Sequence, residues 1–238
     1  MKTVVVLPTY NERENIQKLI PRIFNVFRNN GMEGSLIVVD DSSPDGTSEV
    51  VNELGKEYPI TLIERESKLG IGSAYIAGFK KALEDGADLI FEMDADLSHD
   101  PRYIPEFIEK IGEGFEVVVG SRRIRGGKVV GWSWYRKMIS WGGNLIGRYI
   151  AGVNVDDLTS GYRVYTREVL DKIYLDKVES DGYGFQLEML ARSAYEGFNI
   201  GVIPIIFNDR YSGKSKLSRR DTINFFIIAL RIRLGLMR

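Results

Sequence analysis

Cysteine is absent from this chain of 238 residues, and histidine occurs only once, at His99. The lack of cysteine excludes disulfides, thiolate nucleophiles and cysteine-ligated zinc, and it suits a reducing cytosol. A single histidine offers no second imidazole for a shared metal site. We therefore expect His99 to be structural or solvent-facing rather than a metal ligand.

Long hydrophobic runs are also missing. No window reaches the roughly 18 apolar residues that a membrane-spanning helix needs. Pro8 interrupts the first apolar run too early for a signal peptide. We therefore expect a cytoplasmic protein without a signal peptide or a transmembrane helix.

A strong net charge is the third absence, since the formal net charge is −1 at pH 7. The protein as a whole has no electrostatic attraction for nucleic acid, and no nucleic-acid partner is expected. The basic residues nevertheless cluster in two stretches that hold few acids. These stretches contain Arg122, Arg123, Arg125, Lys128, Arg136 and Lys137, and then Arg210, Lys214, Lys216, Arg219, Arg220, Arg231, Arg233 and Arg238. The competing interpretation is that these residues form ordinary solvated surface. Two such clusters nevertheless predict an anionic binding partner, in addition to the substrate that the rest of the chain binds.

Strand-like apolar runs alternate with segments of helical periodicity through the first half. Strands are predicted over residues 4–7, 36–39, 60–63, 89–93 and 116–120, and helices over 12–28, from 43–45 onward, over 71–83 and over 103–111. This rhythm predicts an α/β fold with a mostly parallel, doubly wound sheet and helices on both faces. Later we expect helices over 135–150 and 185–195, strands over 162–165 and 200–207, and a final helix from about residue 221. No second domain boundary is visible, so a single domain over 1–238 is expected.

Two acidic clusters follow predicted strands, Asp40-Asp41 after the second and Asp94-Ala95-Asp96 after the fourth. Ligands of parallel sheets bind beyond the carboxyl ends of the strands, so both clusters are expected at a shared edge. Asp94 and Asp96 can hold one Mg²⁺ or Mn²⁺ against a diphosphate, and Ser98 can reach the same ion. The competing interpretation is that these aspartates cap the following helix. The pattern favours transfer of a group from a nucleoside diphosphate.

The loop after the first strand lacks the G-x-G-x-x-G pattern, which argues against a dinucleotide cofactor. Gly70-Ile71-Gly72 is a lone pair of small residues, for which close helix packing is the preferred interpretation. In the first loop, Tyr10 can cover a base and Glu12 can accept hydrogen bonds from base or ribose. Helix entry with Asn11 as the cap is the competing interpretation.

Eight motifs, spread over nearly the whole chain, are shared with one family of enzymes. They are V-V-V-L-P-T-Y-N-E-R-E-N at 4–15, V-V-D-D-S-S-P-D-G-T at 38–47, K-L-G-I-G-S-A at 68–74, M-D-A-D-L-S-H-D-P at 93–101, V-V-G-S-R at 118–122, Y-R-K at 135–137, S-G-Y-R at 160–163 and Y-S-G-K-S-K-L at 211–217. On these motifs the chain resembles the GT-A glycosyltransferases of family 2 and, within them, the dolichol-phosphate (polyprenol-phosphate) mannose synthases. The last three motifs narrow the resemblance to polyprenyl-phosphate sugar transfer.

The resemblance implies one GT-A domain, with residues 1–121 binding the nucleotide sugar and 122–238 binding the acceptor. It implies Pro8, Tyr10, Glu12, Val39 and Asp41 at the nucleoside, and Asp94, Ala95 and Asp96 at the ribose, diphosphate and metal, with Ser98 near the ion. It further implies Arg122, Arg210 and Lys216 at the donor diphosphate and the acceptor phosphate, Gln186 at the nucleotide sugar, and Arg136 and Ser160 at the acceptor phosphate. Asp96, Arg122 and Arg210 are the expected catalytic residues.

The implied reaction is inverting transfer of mannose from GDP-mannose to dolichyl or polyprenyl phosphate at the cytoplasmic face of a membrane, with Mg²⁺ or Mn²⁺ as cofactor. A phosphate acceptor is already an anion near neutral pH, so its approach needs positive charge rather than a strong general base.

Contact with the membrane surface is expected from amphipathic helices near 135–150 and 221–237. Their apolar stripes contain Trp132, Trp134, Met138, Trp141, Leu145 and Tyr149, and then Ile223, Phe226, Ile227, Leu230, Leu234 and Met237. Core packing is the competing interpretation for the last helix. A separate membrane-protein partner is the other possible anchor.

Three other functions are open from the sequence. A polyprenyl-phosphate glucosyltransferase that uses UDP-glucose needs a similar framework. A GT-A transferase with a soluble acceptor needs a carboxylate base, for which Asp181 or Glu188 can serve. A non-catalytic nucleotide-sugar sensor is the third, although the carboxylates of Asp94 and Asp96 argue against it.

Overall fold

A computed structural model of the protein describes the backbone of residues 1–209 and 219–237, with side chains from residue 223 onward in the second range. The first half contains β1 (Thr3–Thr9), α1 (Arg13–Asn29), β2 (Gly34–Asp40), α2 (Thr47–Leu54), β3 (Ile60–Glu64), α3 (Ile71–Glu84), β4 (Leu89–Glu92), α4 (Ile104–Gly112) and β5 (Val117–Ser121). The second contains β6 (Lys128–Val130), α5 (Trp134–Ala151), β7 (Arg163–Thr166), α6 (Arg167–Lys172), α7 (Gly182–Tyr195), β8 (Ile200–Pro204), β9 (Ile206–Asn208) and α8 (Arg219–Arg233). Short 3₁₀ helices cover Pro101–Tyr103 and Leu175–Lys177.

Seven strands form one sheet in the order β3-β2-β1-β4-β7-β5-β8. Only β7 runs antiparallel to its neighbours in this sheet, β4 and β5. Strands β1, β2, β4 and β5 read as continuous apolar runs because helices cover both faces of the sheet. The predicted α/β class, with a mostly parallel sheet and helices on both sides, is confirmed.

Close packing of α3 on the sheet depends on its small residues. A Cβ at Gly78 would lie 2.3 Å from Cγ1 of Val6, and one at Gly72 would lie 2.8 Å from the carbonyl oxygen of Ser180. The backbone of α3 therefore lies directly against β1 and against the segment before α7. Gly72 serves packing, as expected for the Gly70-Ile71-Gly72 segment.

Two predicted elements differ from the structure. The helix expected to begin at Ser43-Pro44-Asp45 begins at Thr47 instead, after Gly46 in the left-handed region at φ 85°. The side chains of Ser43 and Asp45 make loop hydrogen bonds, to Asp40 and from the backbone of Thr47. These bonds favour a turn over the first turn of a helix.

The single strand predicted over 200–207 is two strands in different sheets. Strand β8 pairs with β5, whereas β9 pairs in parallel with β6 as a separate two-stranded sheet. Pro204, which has no backbone N–H, ends β8, and the chain then turns to the second pairing. Strand β6 is not predicted from the sequence, because its three residues lie in a segment rich in glycine and arginine.

Candidate active site

A cleft of about 420 Å³ opens beyond the carboxyl ends of β1, β2 and β4. Most of the predicted site residues line it: Pro8, Tyr10, Glu12, Asp41, Asp94, Ala95, Asp96, Arg122, Arg136 and Gln186. The topology brings them together, because β1 lies between β2 and β4 and all three strands are parallel. Loops that follow adjacent parallel strands meet at one edge.

Other predicted site residues lie away from the cleft wall or outside the described residues. The side chain of Val39 is fully buried in the core, so any contact with a nucleoside falls to its backbone. Ser160 is buried, but its neighbours Thr159 and Gly161 line the cleft. Arg210 and Lys216 lie outside the residues that the structure describes.

The turn after β4 that contains Asp94 and Asp96, called the acidic turn below, is held in place by three hydrogen bonds. The hydroxyl of Tyr75 donates to Oδ1 of Asp94 at 3.0 Å. The backbone N–H of Asp94 donates to Nδ1 of His99 at 3.0 Å, and the backbone N–H of Ser98 donates to Oδ1 of Asp96 at 3.0 Å. Burial and the charge of Asp94 raise the pKa of Tyr75 well above its usual value, so this hydroxyl stays a donor.

Helix capping does not account for the two aspartates. The residue that caps the following 3₁₀ helix is Asp100, whose side chain accepts from the backbone N–H of Arg102 at 3.1 Å. Asp94 and Asp96 instead line the cleft. His99 is buried, forms part of the cleft wall and stacks on Tyr162 with ring centroids 5.0 Å apart, so it also supports this turn structurally.

The acidic turn fits a hard divalent cation that shares its ligands with a phosphate. Asp94 and Asp96 supply two carboxylates, and the buried Oγ of Ser98 has no hydrogen-bond partner among the described residues. Within those residues no group of three or more histidine, aspartate or glutamate side chains is placed to hold a metal. Mg²⁺ and Mn²⁺ suit such a site, since they use few carboxylates and complete their shell with water and phosphate oxygens.

The expected nucleoside end of the cleft contains Tyr10, Asp41 and Lys68. The ammonium of Lys68 lies 4.1 Å from the centroid of the Tyr10 ring. Oδ1 of Asp41 accepts from Nε of Arg65 at 2.5 Å, which fixes the carboxylate. Asn11 does not cap α1, because Glu12 occupies the N-cap position and no side chain caps it.

Arg122 forms a bidentate ion pair with the buried carboxylate of Asp157, a residue that was not predicted from the sequence. Nε and Nη2 of Arg122 each donate to Asp157 at 2.6 Å, and Nη2 also donates to Oγ1 of Thr159 at 2.9 Å. Burial alone raises the pKa of Asp157, but the charge and hydrogen bonds of Arg122 outweigh it, and the pKa falls to about 2. Asp157 is therefore ionised at neutral pH.

A second cavity of about 340 Å³ shares Arg122 and Trp132 with the cleft. It lies between the loop after β5 and helix α5, and its other lining residues include Arg123, Lys128 and Lys137. No carboxylate belongs to its wall in the described part of the chain. Four residues of the first basic cluster therefore surround a space suited to an anion beside the main cleft, namely Arg122, Arg123, Lys128 and Lys137.

Gln186 lines the cleft, and a hydrogen bond to Glu92 sets the orientation of its side-chain amide. Nε2 of Gln186 donates to Glu92, while its buried Oε1 has no hydrogen-bond partner in the residues described. Burial raises the pKa of Glu92 to about 7, against the lowering effect of Arg163. Arg163, the last residue of S-G-Y-R, donates to the carbonyl oxygens of Leu158, Ser160 and Gln186 and so ties α7 to the loop before β7.

The two carboxylates considered as bases for a soluble acceptor differ in position. Glu188 is fully buried and paired with Arg192, and it does not line the cleft. Asp181 does line the cleft, and its Oδ1 accepts from the backbone N–H of Gly72 at 2.8 Å. Only Asp181 is therefore placed to meet a substrate.

Helices α5 and α8 pack together and expose apolar side chains. On α5 the exposed residues include Trp134, Tyr135, Met138, Ile139, Trp141, Leu145, Ile146 and Tyr149, and in and after α8 they include Ile223, Ile227, Leu230, Leu234 and Leu236. Trp132 departs from the predicted stripe, because it is half-buried at the two cavities. Met237 is buried, so the predicted stripe of the last helix divides between surface and core. Within the described ranges, no helix has the length and hydropathy to cross a membrane.

Comparison with known proteins agrees with this architecture. The model of glycosyl transferase family 2 matches residues 4–174. Undecaprenyl-phosphate mannosyltransferase of Micrococcus luteus is 44% identical over 92% of this chain and 88% of its own. Polyprenol monophosphomannose synthase of Mycolicibacterium smegmatis is 40% identical over 91% of this chain and 81% of its own.

Solved structures show the same fold at low sequence identity. Glucosyl-3-phosphoglycerate synthase from Mycobacterium tuberculosis, in complex with Mn²⁺, uridine-diphosphate-glucose and phosphoglyceric acid, superposes with a TM-score of 0.69 at 21% identity, covering 98% of this chain and 80% of that one. Its complex with uridine-diphosphate gives 0.70 at 20% identity with the same coverage. The predicted resemblance to polyprenol-phosphate mannose synthases and the expectation of a glycosyltransferase are confirmed by the relatives, and this chain belongs to glycosyl transferase family 2.

Proposed function

We propose that the protein transfers mannose from GDP-mannose to a polyprenyl or dolichyl phosphate, with inversion at the anomeric carbon and with a divalent cation. The observation that carries the proposal is the pairing of two cavities across Arg122. An acidic turn lines one cavity, whereas the described residues that line the other are all basic or neutral. The first suits a nucleoside diphosphate with its cation, and the second suits an anionic acceptor. The names of the relatives that are 44% and 40% identical support the transfer of mannose to a polyprenyl phosphate.

The donor half of the mechanism uses the acidic turn. Asp94, Asp96 and Ser98 would hold Mg²⁺ or Mn²⁺, which when bound supplies positive charge against the leaving diphosphate. Tyr75 and His99 keep the turn in place, because Tyr75 donates to the Asp94 carboxylate and His99 accepts from the Asp94 backbone N–H. The backbone of this turn is therefore organised before the substrate arrives, which lowers the cost of reaching the transition state.

The acceptor half of the mechanism needs positive charge rather than a general base. A phosphate oxygen attacks the anomeric carbon, the bond from that carbon to the diphosphate oxygen breaks, and the nucleoside diphosphate leaves with the electron pair. The attacking oxygen is already anionic, so no proton has to be removed. Arg122 and Arg136, which line the cleft, would reduce the repulsion between the two anionic substrates.

The exposed faces of α5 and α8 give the protein a surface for the membrane in which a prenyl acceptor resides. Tryptophan, tyrosine and methionine dominate the exposed side of α5, which is typical of helices lying in a bilayer interface. Arg136 and Lys137 lie on the same helix, where they can meet anionic headgroups. These features support our proposal that the reaction takes place at a membrane surface, which we infer to be the cytoplasmic face.

A transfer assay with the purified full chain tests the proposal. GDP-mannose or UDP-glucose is incubated with undecaprenyl phosphate in detergent, with MgCl₂ or MnCl₂, and the lipid product is separated by chromatography. We expect mannosylated lipid from GDP-mannose and none after chelation of the metal. Faster transfer from UDP-glucose contradicts the donor assignment. Transfer only to a water-soluble acceptor contradicts the lipid assignment, and release of free sugar alone contradicts the transferase.

A further inference from the structure

Asp157 is fully buried and holds two guanidinium groups at once. Besides Nε and Nη2, the backbone N–H of Arg122 donates to it at 3.2 Å. Nε of Arg123 lies 3.6 Å from Oδ1 of Asp157, and Arg123 also donates to Ser140 on α5 at 2.8 Å. One carboxylate thus lies between two neighbouring positive charges that would otherwise repel each other.

The contacts of Arg122 leave one edge of its guanidinium unused. Nε and Nη2 are engaged by Asp157 and Thr159, whereas Nη1 has no hydrogen-bond partner among the described residues. Arg122 lines both cavities, although only 6% of its side chain is exposed. The ion pair therefore selects which edge of the guanidinium is available to a bound anion.

Thr159, which accepts from Arg122, is itself held by a hydrogen bond from Asn144. Nδ2 of Asn144 donates to Oγ1 of Thr159 at 3.3 Å, and Oδ1 of Asn144 accepts from the backbone N–H of Leu158 at 2.8 Å. Asn144 belongs to α5, so the loop that carries Asp157 is tied to the helix that walls the second cavity.

We propose that Asp157 is a positioning residue for the transfer reaction, holding the guanidinium of Arg122 at the wall shared by the two cavities so that its Nη1 edge meets the anionic substrates. The inference rests on the proposed function. In this role, Asp157 does not touch the substrates and acts only through Arg122. Its effect on catalysis must therefore depend on the presence of Arg122.

A double-mutant cycle tests this dependence. The kcat/KM for transfer to undecaprenyl phosphate is measured per mole of folded enzyme for the wild type, Asp157→Asn, Arg122→Ala and the double variant. We expect Asp157→Asn to lower kcat/KM at least about tenfold in the wild-type background and less than about twofold in the Arg122→Ala background. Equal losses in both backgrounds, or no loss in the wild type, would overturn the role.

Two further variants keep the test independent of folding. Thr159→Val removes one hydrogen bond from Arg122 without leaving a buried charge, and we expect a smaller loss that also disappears in the Arg122→Ala background. Asp156→Asn is the matched control, because Asp156 pairs with the partly exposed Arg148 at 2.9 Å and should leave kcat/KM unchanged. An inactive wild type overturns the proposed function and this inference with it, whereas an active wild type with an additive cycle overturns the inference alone.

Discussion

Adjacent residues with the same side chain have different environments in this protein. Asp156 and Asp157 follow each other in one loop, yet Asp156 is partly exposed beside Arg148, whereas Asp157 is fully buried between two arginines. The sequence cannot separate them, because only the fold decides which of two neighbouring carboxylates turns inward. The aspartates of the acidic turn were easier to predict, since they directly follow an apolar strand.

The pKa of Asp157 leads to a prediction about stability. Its pKa in the folded state, about 2, lies below the ordinary value of 3.8. The ionised carboxylate therefore stabilises the fold above about pH 4, and this contribution is lost as the pH falls towards 2. We expect Asp157→Asn to lower the free energy of unfolding by about 2 kcal/mol at pH 7.

Urea unfolding of the wild type and Asp157→Asn at several pH values between 7 and 3 checks this sign. The difference in unfolding free energy should be constant down to about pH 4 and then shrink. Asp156→Asn serves as the control and should show little difference at any pH. If the difference in unfolding free energy between the wild type and Asp157→Asn grew on acidification, the lowered pKa of Asp157 would be wrong.

At the scale of the elements, long periodic helices and buried strands were predictable, whereas short elements were not. Helix α1 and strands β1, β2 and β4 follow from apolar runs and helical spacing that a buried environment requires. Strands β6 and β9 have three residues each and are defined by their pairing with each other. Local sequence holds too little information to predict such partners.

Helix α5 exposes several large apolar side chains. Only Asn144, Gly147 and Ala151 are buried on it. Gly147 lets α8 approach, since a Cβ there would lie 2.6 Å from the ring of Phe225. The opposite side exposes 72% of Trp134 and 87% of Tyr149, which is costly for a helix that faces only water.

Flotation on vesicles of phosphatidylcholine and phosphatidylglycerol tests whether this face binds a membrane. We expect the wild type to float at low salt and the double variant Trp134→Ser, Tyr149→Ser to float at least about fivefold less, because it loses interfacial aromatic surface. Tyr174→Ser is the matched control, since Tyr174 is 61% exposed but belongs to neither helix. A wild type that stays unbound, or a double variant that floats equally, would contradict membrane docking through α5.

In the whole molecule, the main cleft, the second cavity and the exposed face of α5 lie next to one another. The main cleft adjoins the second cavity through Arg122 and Trp132, and α5 forms part of the wall of that cavity while exposing its other side chains. A nucleotide sugar in the cleft and a lipid phosphate in the second cavity would meet at the shared wall. The sequence predicted the participants of the cleft through its motifs, but the separate cavity depends on how β6, α5 and the Asp157 loop pack together.

We propose that Asp96 and the acidic turn bind a nucleoside diphosphate together with a divalent cation. Isothermal titration calorimetry of GDP, with and without Mn²⁺, tests this binding in the wild type, in Asp96→Asn and in the control Asp171→Asn, whose side chain is 51% exposed and pairs with Arg167. We expect Mn²⁺ to raise GDP affinity at least about tenfold in the wild type and the control, and we expect Asp96→Asn to lose this enhancement. An enhancement by Mn²⁺ that is unchanged in Asp96→Asn would rule out the cation site at the acidic turn.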